Sequence, residues 1–348
     1  MKTTVITFMA ITLTATGALA AEFHLATNGN DVNRGTKKAP LRTNQPAFPP
    51  FTWKSEPPAD CPFPPSKEIT GLEFLGVHSD YRFADTWYPS WAADGNLYSP
   101  WTDGPCHADS SNSDGYEYVK EGAMGTFNAK LRPATTGQAV MVGDDPLKLE
   151  VKSLGTVQAD PYPYGGRYPC GSLVYRGVWY YGTYCLSPHG NTRFGETAYN
   201  WPWLGPLVGF RLSRDLGKTW EETTHTPAKP LFSETGMWGH PVKIGAPHFV
   251  DFGKDMEHSP DGKAYLVAMG AELSDPKPRF GNLSWITGDQ VYFVNLPSKF
   301  IGPDGRTAWL CYSGNFATDW NGNKIKVNPP GTRYGLVLQQ IRLLGPTP

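Results

Sequence analysis

Asp85 and Asp103 are the residues whose types and spacing most readily support chemistry. Asp85 opens the phrase Asp85-Thr86-Trp87-Tyr88-Pro89, and Asp103 sits in Trp101-Thr102-Asp103-Gly104. Between them lies Asp94-Gly95, flanked by Trp91-Ala92-Ala93 and Asn96-Leu97-Tyr98. An Asp-Gly pair between apolar segments is a hairpin signal. If the chain reverses there, both aspartates return to one rim. Two carboxylates at one rim are what glycosidic cleavage needs: a protonated acid and an ionised base or nucleophile. A close pair also pushes one of the two pKa values up. The competing expectation is that Thr-Asp-Gly merely caps a turn. In the hydrolytic scheme Asp85 is base or nucleophile and Asp103 is pKa tuner or acid. Glu234, in Phe232-Ser233-Glu234-Thr235, is an alternative acid or else a solvated loop residue.

The histidines offer a second chemistry. His240 lies in Gly239-His240-Pro241 and His248 in Ala246-Pro247-His248-Phe249. A histidine can bond sugar hydroxyls or act as general base. A base suits β-elimination on a uronic acid, with Arg167 or Lys243 neutralising the carboxylate. In that scheme His248 is the base. His107 shares the loop of Asp103. Trp87, Tyr88 and Trp238 are placed to stack on sugar rings, whereas Trp91 and Trp101 read as packing. Counted from Ser110, Asn112, Asp114, Gly115 and Glu121 fall at positions 3, 5, 6 and 12 of a calcium loop. Position 1 is Ser and no flanking helix is evident, so calcium is the lesser alternative to a polar rim loop. No other cofactor or metal is expected. No C-x-x-C occurs, which argues against a cysteine zinc site.

These residues need a scaffold. Thirty-one Lys+Arg against 32 Asp+Glu give a net charge of -1, which argues against binding nucleic acid by bulk charge. Aromatics at 13%, with 38 Gly and 33 Pro, indicate an all-β chain of short strands and many turns. The N-terminus reads as an export signal over residues 1–20: Lys2, an apolar run from Val5 to Leu13, then Gly17-Ala18-Leu19-Ala20. The protein is therefore expected to be secreted or periplasmic, with no membrane span. Export permits disulfides. Of Cys61, Cys106, Cys170, Cys185 and Cys311, an odd number, Cys170 and Cys185 flank two expected strands, Ser172–Tyr175 and Val178–Thr183, that a hairpin could bring together.

Residues 21–68 form a separate segment ending in a Pro-rich linker. From residue 69 to 348 one phrase recurs: a short apolar strand, a D-G or x-G turn, then an aromatic strand. It appears around Asp94-Gly95, Arg176-Gly177, Asp261-Gly262 and Asp304-Gly305. At about 40–50 residues per unit this predicts a β-propeller of five blades, with four or six as alternatives. A two-sheet sandwich is the competing architecture. Ser213-Arg214-Asp215-Leu216-Gly217-Lys218-Thr219-Trp220 matches the S-x-D-x-G-x-T-W Asp-box, a structural turn between outer blade strands of propellers.

Over residues 70–343 these phrases resemble secreted five-bladed propeller glycosidases, the fold of arabinanases, β-xylosidases and anhydrogalactosidases. They resemble still more closely bacterial and fungal propellers related to these without assigned activity. The resemblance implies an inner-strand Asp as base, a second Asp that tunes its pKa, and a Glu as acid. Asp85 falls near the first of these positions. Ser172, in Tyr168-Pro169-Cys170-Gly171-Ser172, stands where the second Asp would be, so the full carboxylate set is not matched. Separately, Phe23 to Asp31 and Gly35-Thr36 to Pro40 resemble the opening of right-handed parallel β-helix proteins, without the coil repeats. The expected partner is a polysaccharide or oligosaccharide. The rivals to a hydrolase are a uronate lyase and a non-catalytic carbohydrate-binding propeller.

Overall fold

The computed structural model describes residues 48–52, 64–114, 116–121, 126–131, 133–161, 166–185, 206–221, 223–232, 242–272, 291–314 and 329–346. The expected export signal over residues 1–20, most of residues 21–68, Glu234, Trp238 and His240 lie outside them. The described chain is all-β. Its strands are β1 (Phe51–Thr52), β2 (Gly71–His78), β3 (Ser90–Trp91), β4 (Leu97–Trp101), β5 (Gly104–Cys106) and β6 (Asp109–Ser111). There follow β7 (Tyr116–Glu121), β8 (Thr126–Leu131), β9 (Ala134–Val142), β10 (Glu150–Ala159), β11 (Tyr168–Tyr175) and β12 (Val178–Tyr184). The last six are β13 (Leu207–Ser213), β14 (Val242–Phe249), β15 (Leu266–Glu272), β16 (Val291–Asn295), β17 (Thr307–Gly314) and β18 (Val337–Leu344). No described helix is long and apolar enough to cross a membrane.

The chain forms two compact units. One comprises residues 1–79, 301–310 and 338–348; the other comprises 80–300 and 311–337. In the first, β2 pairs antiparallel with β18, Phe74 opposite Ile341 and Leu72 opposite Leu343. β1 adds to the far edge of β2, where the Phe51 and Phe74 rings stack at 5.0 Å. The beginning of the described chain is thus clasped by its last strand.

The second unit holds a four-stranded meander in the order β10-β9-β4-β3 and a three-stranded meander, β11-β12-β13. β14 pairs with β15, and β16 with the end of β17. Every residue of β4 is buried, and so is nearly all of β11. The edge strand β10 instead alternates between exposed and buried positions. Strands covered on both faces read as continuous apolar runs, and edge strands alternate. The first two meanders pack through Tyr98, Val140, Val174, Trp179 and Tyr181. β11, β12, β13 and β14 share Tyr168, Cys170, Tyr184, Leu207 and Ala246. Each fully buried large side chain here contributes about 2–3 kcal/mol.

Turn chemistry sets these registers. Arg176 and Gly177 both take positive φ (48° and 74°), giving a two-residue turn that sets Tyr175 opposite Val178. The Asp-box turn follows β13. Thr219 donates its hydroxyl and its N–H to Asp215 (2.6 and 2.8 Å), and Ser213 adds a third bond at 2.8 Å. Those donors, led by the Thr219 hydroxyl, hold the carboxyl down at about 2. Gly217, at φ 94°, meets the Trp179 ring, and Trp220 lies edge-on to Tyr181 at 5.3 Å. The chain then returns as a fourth strand position, where Glu221 bridges Leu212.

Cys106, Cys170, Cys185 and Cys311 are free and buried. A disulfide between Cys170 and Cys185 does not form, because the hairpin register opposes it. Tyr168 faces Tyr184, which sets Cys185 beside Arg167, three residues along the strand from Cys170. That is about 10 Å, beyond disulfide reach.

Beyond β14, Asp251 accepts the Ser298 N–H at 2.7 Å. Burial pushes its carboxyl up to about 6, and hydrogen bonds from Ser298 and Gly253 offset this only in part. The folded state therefore holds a proton that the unfolded chain releases near its ordinary value of 3.8. Stability contributed by this group is present below that value and is lost as pH rises through about 6. Asparagine keeps an acceptor for Ser298 and cannot titrate. Urea unfolding of wild type should lose about 2 kcal/mol between pH 4.5 and 7 relative to Asp251→Asn. Parallel curves for the two proteins would sink this assignment.

Candidate functional site

The hairpin at Asp94-Gly95 pairs Trp91 with Leu97 and Ser90 with Tyr98. Asp94 caps the turn by accepting the Asn96 N–H at 2.9 Å. At the other end of the hairpin Asp85 and Thr102 exchange both backbone bonds, each 2.9 Å. Asp103 therefore lies one residue past the partner of Asp85, and the two aspartates share a rim. The backbone there is strained. Thr86, Asp103 and His107 all have positive φ, at 63°, 54° and 57°. For a β-branched threonine this is a true outlier, costing about 1–3 kcal/mol. Thr86 is held in place by two bonds: its N–H donates to Ser313 Oγ (3.0 Å), and its hydroxyl to Asp85 Oδ1 (2.9 Å).

A distant segment completes the rim. Tyr334 donates its hydroxyl to the Asp103 carbonyl at 2.7 Å and lies close enough to the Asp85 side chain to feel its charge. Gly335 permits the approach: at φ 132°, a Cβ there would lie 2.6 Å from the Phe83 carbonyl oxygen. Burial, then the charges of Asp85 and Asp103, hold the Tyr334 phenol far above its usual range. Tyr88 and Tyr184 are raised in the same way, chiefly by burial, and both feel Asp85. The Asp103 carboxylate accepts the Ser113 N–H at 2.7 Å, and the Ser113 carbonyl accepts the Arg167 N–H at 2.8 Å.

Beside Tyr334 a cavity of about 490 Å³ is lined by Arg82, Phe83, Gly331, Thr332, Arg333 and Tyr334. Asp80 pairs with Arg333 and lies 3.8 Å from Arg82. The Phe83 ring lies 5.0 Å from that of His107, whose Nε2 is 2.6 Å from the Val151 carbonyl. The walls thus offer cations, an aromatic ring, a hydroxyl and a phenol, a mixture suited to a polyhydroxylated ligand.

The other expected residues fall as follows. His248 lies at an irregularity of β14, just after Ala246 with φ 40°. Its ring is 5.9 Å from that of Tyr88, and its Nδ1 is buried without a partner. Burial lowers its pKa, against a backbone bond with Ala246 that raises it. Tyr88 in turn is close enough to Asp85 to feel its charge, so His248, Tyr88 and Asp85 belong to one cluster. Arg167 is buried and bonded to neutral acceptors. Lys243 lies on β14 opposite Ala271. Trp87 is fully buried and donates its indole N–H to the Ala84 carbonyl, so it belongs to packing and offers no open face for a sugar ring. Ser172 accepts the Trp179 indole N–H at 2.7 Å, a structural duty that leaves no second-blade carboxylate.

Among the described residues no three His, Cys, Asp or Glu side chains gather as metal ligands. The calcium-loop spacing is used differently. Asn112 Oδ1 accepts the Asp114 N–H, and residues 116–121 run as β7 paired with β8.

No protein-family model matches the chain, and no curated protein is similar to it in sequence. Tyr334, Thr102 and the cavity arginines were missed by sequence reasoning. Tyr334 and Arg333 meet partners more than 200 residues away, with no local pattern to mark them.

Proposed function

We propose that this chain is an exported β-propeller of five blades that binds a polysaccharide or oligosaccharide and hydrolyses a glycosidic bond. Three features support the propeller: successive meanders packed through shared aromatic clusters, an Asp-box turn after a third strand, and the pairing of β2 with β18. The observation that carries the catalytic assignment is the bridge between Asp85 and Thr102, with Tyr334 spanning Asp85 and Asp103 beside a cavity. Asp85 is the base or nucleophile, its carboxylate oriented by the hydroxyl of Thr86, with the Tyr334 phenol close beside it. Asp103 adds negative charge nearby and holds the loop at Ser113. Glu234 is the candidate acid that protonates the leaving oxygen.

A second scheme, β-elimination on a uronate glycan, is favoured by one observation: a buried, unpartnered His248 Nδ1 beside a protonated Tyr88 phenol. A neutral imidazole can take the proton alpha to the carboxylate, and a phenol can protonate the leaving oxygen. One experiment separates the two. Digestion of a glycan panel is read for reducing ends and for ultraviolet absorbance. Reducing ends without absorbance support hydrolysis. Absorbance from an unsaturated product moves the reaction to His248. Retention on a glycan with neither signal would leave a binding module and overturn both schemes.

A further inference from the structure

We infer that Arg167 and Arg211 form a receptor for an oxyanion carried by the glycan, a uronate carboxylate or a sulfate ester. The inference rests on the proposal that the ligand is a glycan. Both arginines are buried, at 5% and 8% exposure. Their bonds go to neutral acceptors: Arg167 Nε to Thr183 Oγ1 (2.8 Å), Arg167 Nη1 to the Asp160 carbonyl (3.1 Å), and Arg211 Nη2 to the Gln158 carbonyl (3.2 Å). Arg211 Nη1 is buried with no acceptor. Gln158 and Asp160 are two residues apart at the end of β10, so their carbonyls lie about 7 Å from each other. The β12 register agrees: Tyr181 faces Arg211, and Thr183 is on the same side of the strand. Two guanidinium groups are therefore held side by side in a desolvated setting. The thiols beside Arg167 are held neutral by burial, and the carboxylate that Arg167 feels among the described residues is that of the exposed Asp160.

Two like charges buried together are costly unless an anion offsets them. Guanidinium forks suit carboxylate and sulfate oxygens. Arg167 is tied to the aspartate rim through its backbone: the Ser113 N–H bonds the Asp103 carboxylate, and the Ser113 carbonyl accepts the backbone N–H of Arg167. Chain capping alone would explain the bonds to β10, but it leaves Arg211 Nη1 unused.

Titration calorimetry on the full chain tests this with three probes: tri-galacturonate, its carboxyl-reduced neutral counterpart, and a sulfated galactan oligomer. An acidic probe should bind at least ten-fold more tightly than the neutral one, and whichever acid does so identifies the oxyanion. Arg211→Met should lower that affinity at least ten-fold without lowering the thermal midpoint. A merely structural arginine would lower the midpoint and spare the affinity. Equal binding of acid and neutral probes by wild type would overturn the proposal, and so would unchanged acid binding by a folded Arg211→Met. If Arg211→Met does not fold, the wild-type comparison still decides. Acid-selective binding with no new reducing ends would sink the hydrolase and keep the receptor. Cleavage of neutral glycans with equal binding would do the reverse.

Discussion

Asp85→Asn should lower turnover on the cleaved glycan by about 100- to 10,000-fold, the range expected when a positioned base is removed. The change removes one charge and keeps the size of the side chain. Asparagine Oδ1 can still accept from Thr86, so the strained turn at Thr86 stays anchored by that bond and by Ser313. The cost to stability should be about 1 kcal/mol, one hydrogen bond to the amide being poorer. Tyr334 keeps its bond to the Asp103 carbonyl and should hold its position. The informative measurement is kcat with a thermal midpoint on the same preparation. A folded Asp85→Asn enzyme with near-normal kcat would remove Asp85 from the mechanism. The parallel variant His248→Gln distinguishes the schemes: under hydrolysis it should retain most activity, and under β-elimination it should lose as much as Asp85→Asn is expected to lose here.

Gly137→Ala should destabilise the protein by about 3 kcal/mol or more, at or above the usual range for overpacking. Gly137 on β9 pairs with Trp101 on β4, and a Cβ there would overlap the Trp101 indole ring. The Trp101 ring is fully buried and has no open space to enter. The Gly137 carbonyl also accepts the Tyr181 hydroxyl at 2.8 Å, so the backbone cannot retreat without breaking a bond to the next sheet. Displacing Trp101 moves Thr102, and with it the bridge that holds Asp85. Activity should therefore fall together with stability, in contrast to Asp85→Asn. Urea unfolding would show it, and an unchanged midpoint would contradict the packing described.

The parts legible in the sequence were those fixed by local chemistry. Asp94-Gly95 and Arg176-Gly177 mark their hairpins because few residues accept positive φ, and the Asp-box carries its own turn in eight residues. The return of Asp103 to the level of Asp85 follows from the turn position alone. Elsewhere the turn signal was real and its flanking strands do pair, but through a longer connection than a tight hairpin. Asp261-Gly262 belongs to a longer connection between β14 and β15, and Asp304-Gly305 follows a short 3-10 turn at Ser298–Phe300. Tyr334 reaches Asp103 across 231 positions, a contact that only the assembled sheets create. Arg211 was illegible for the same reason: an arginine on a strand ordinarily faces water, and only the neighbouring edge of β10 encloses it. Trp87 shows the opposite error. An aromatic beside a candidate aspartate suggests stacking on sugar, yet the ring is packed inside.

The four buried thiols also make the molecule its own stopwatch. Alkylating reagents attack thiolate in contact with water. Burial denies both conditions, pushing Cys106 and Cys185 up to about 12 and Cys170 and Cys311 higher still. Each cysteine marks a different place: the end of β5, β11, the residue after β12, and β17. The order in which mass is added at these positions would therefore record the order in which the sheets part, on the native protein and without any introduced label.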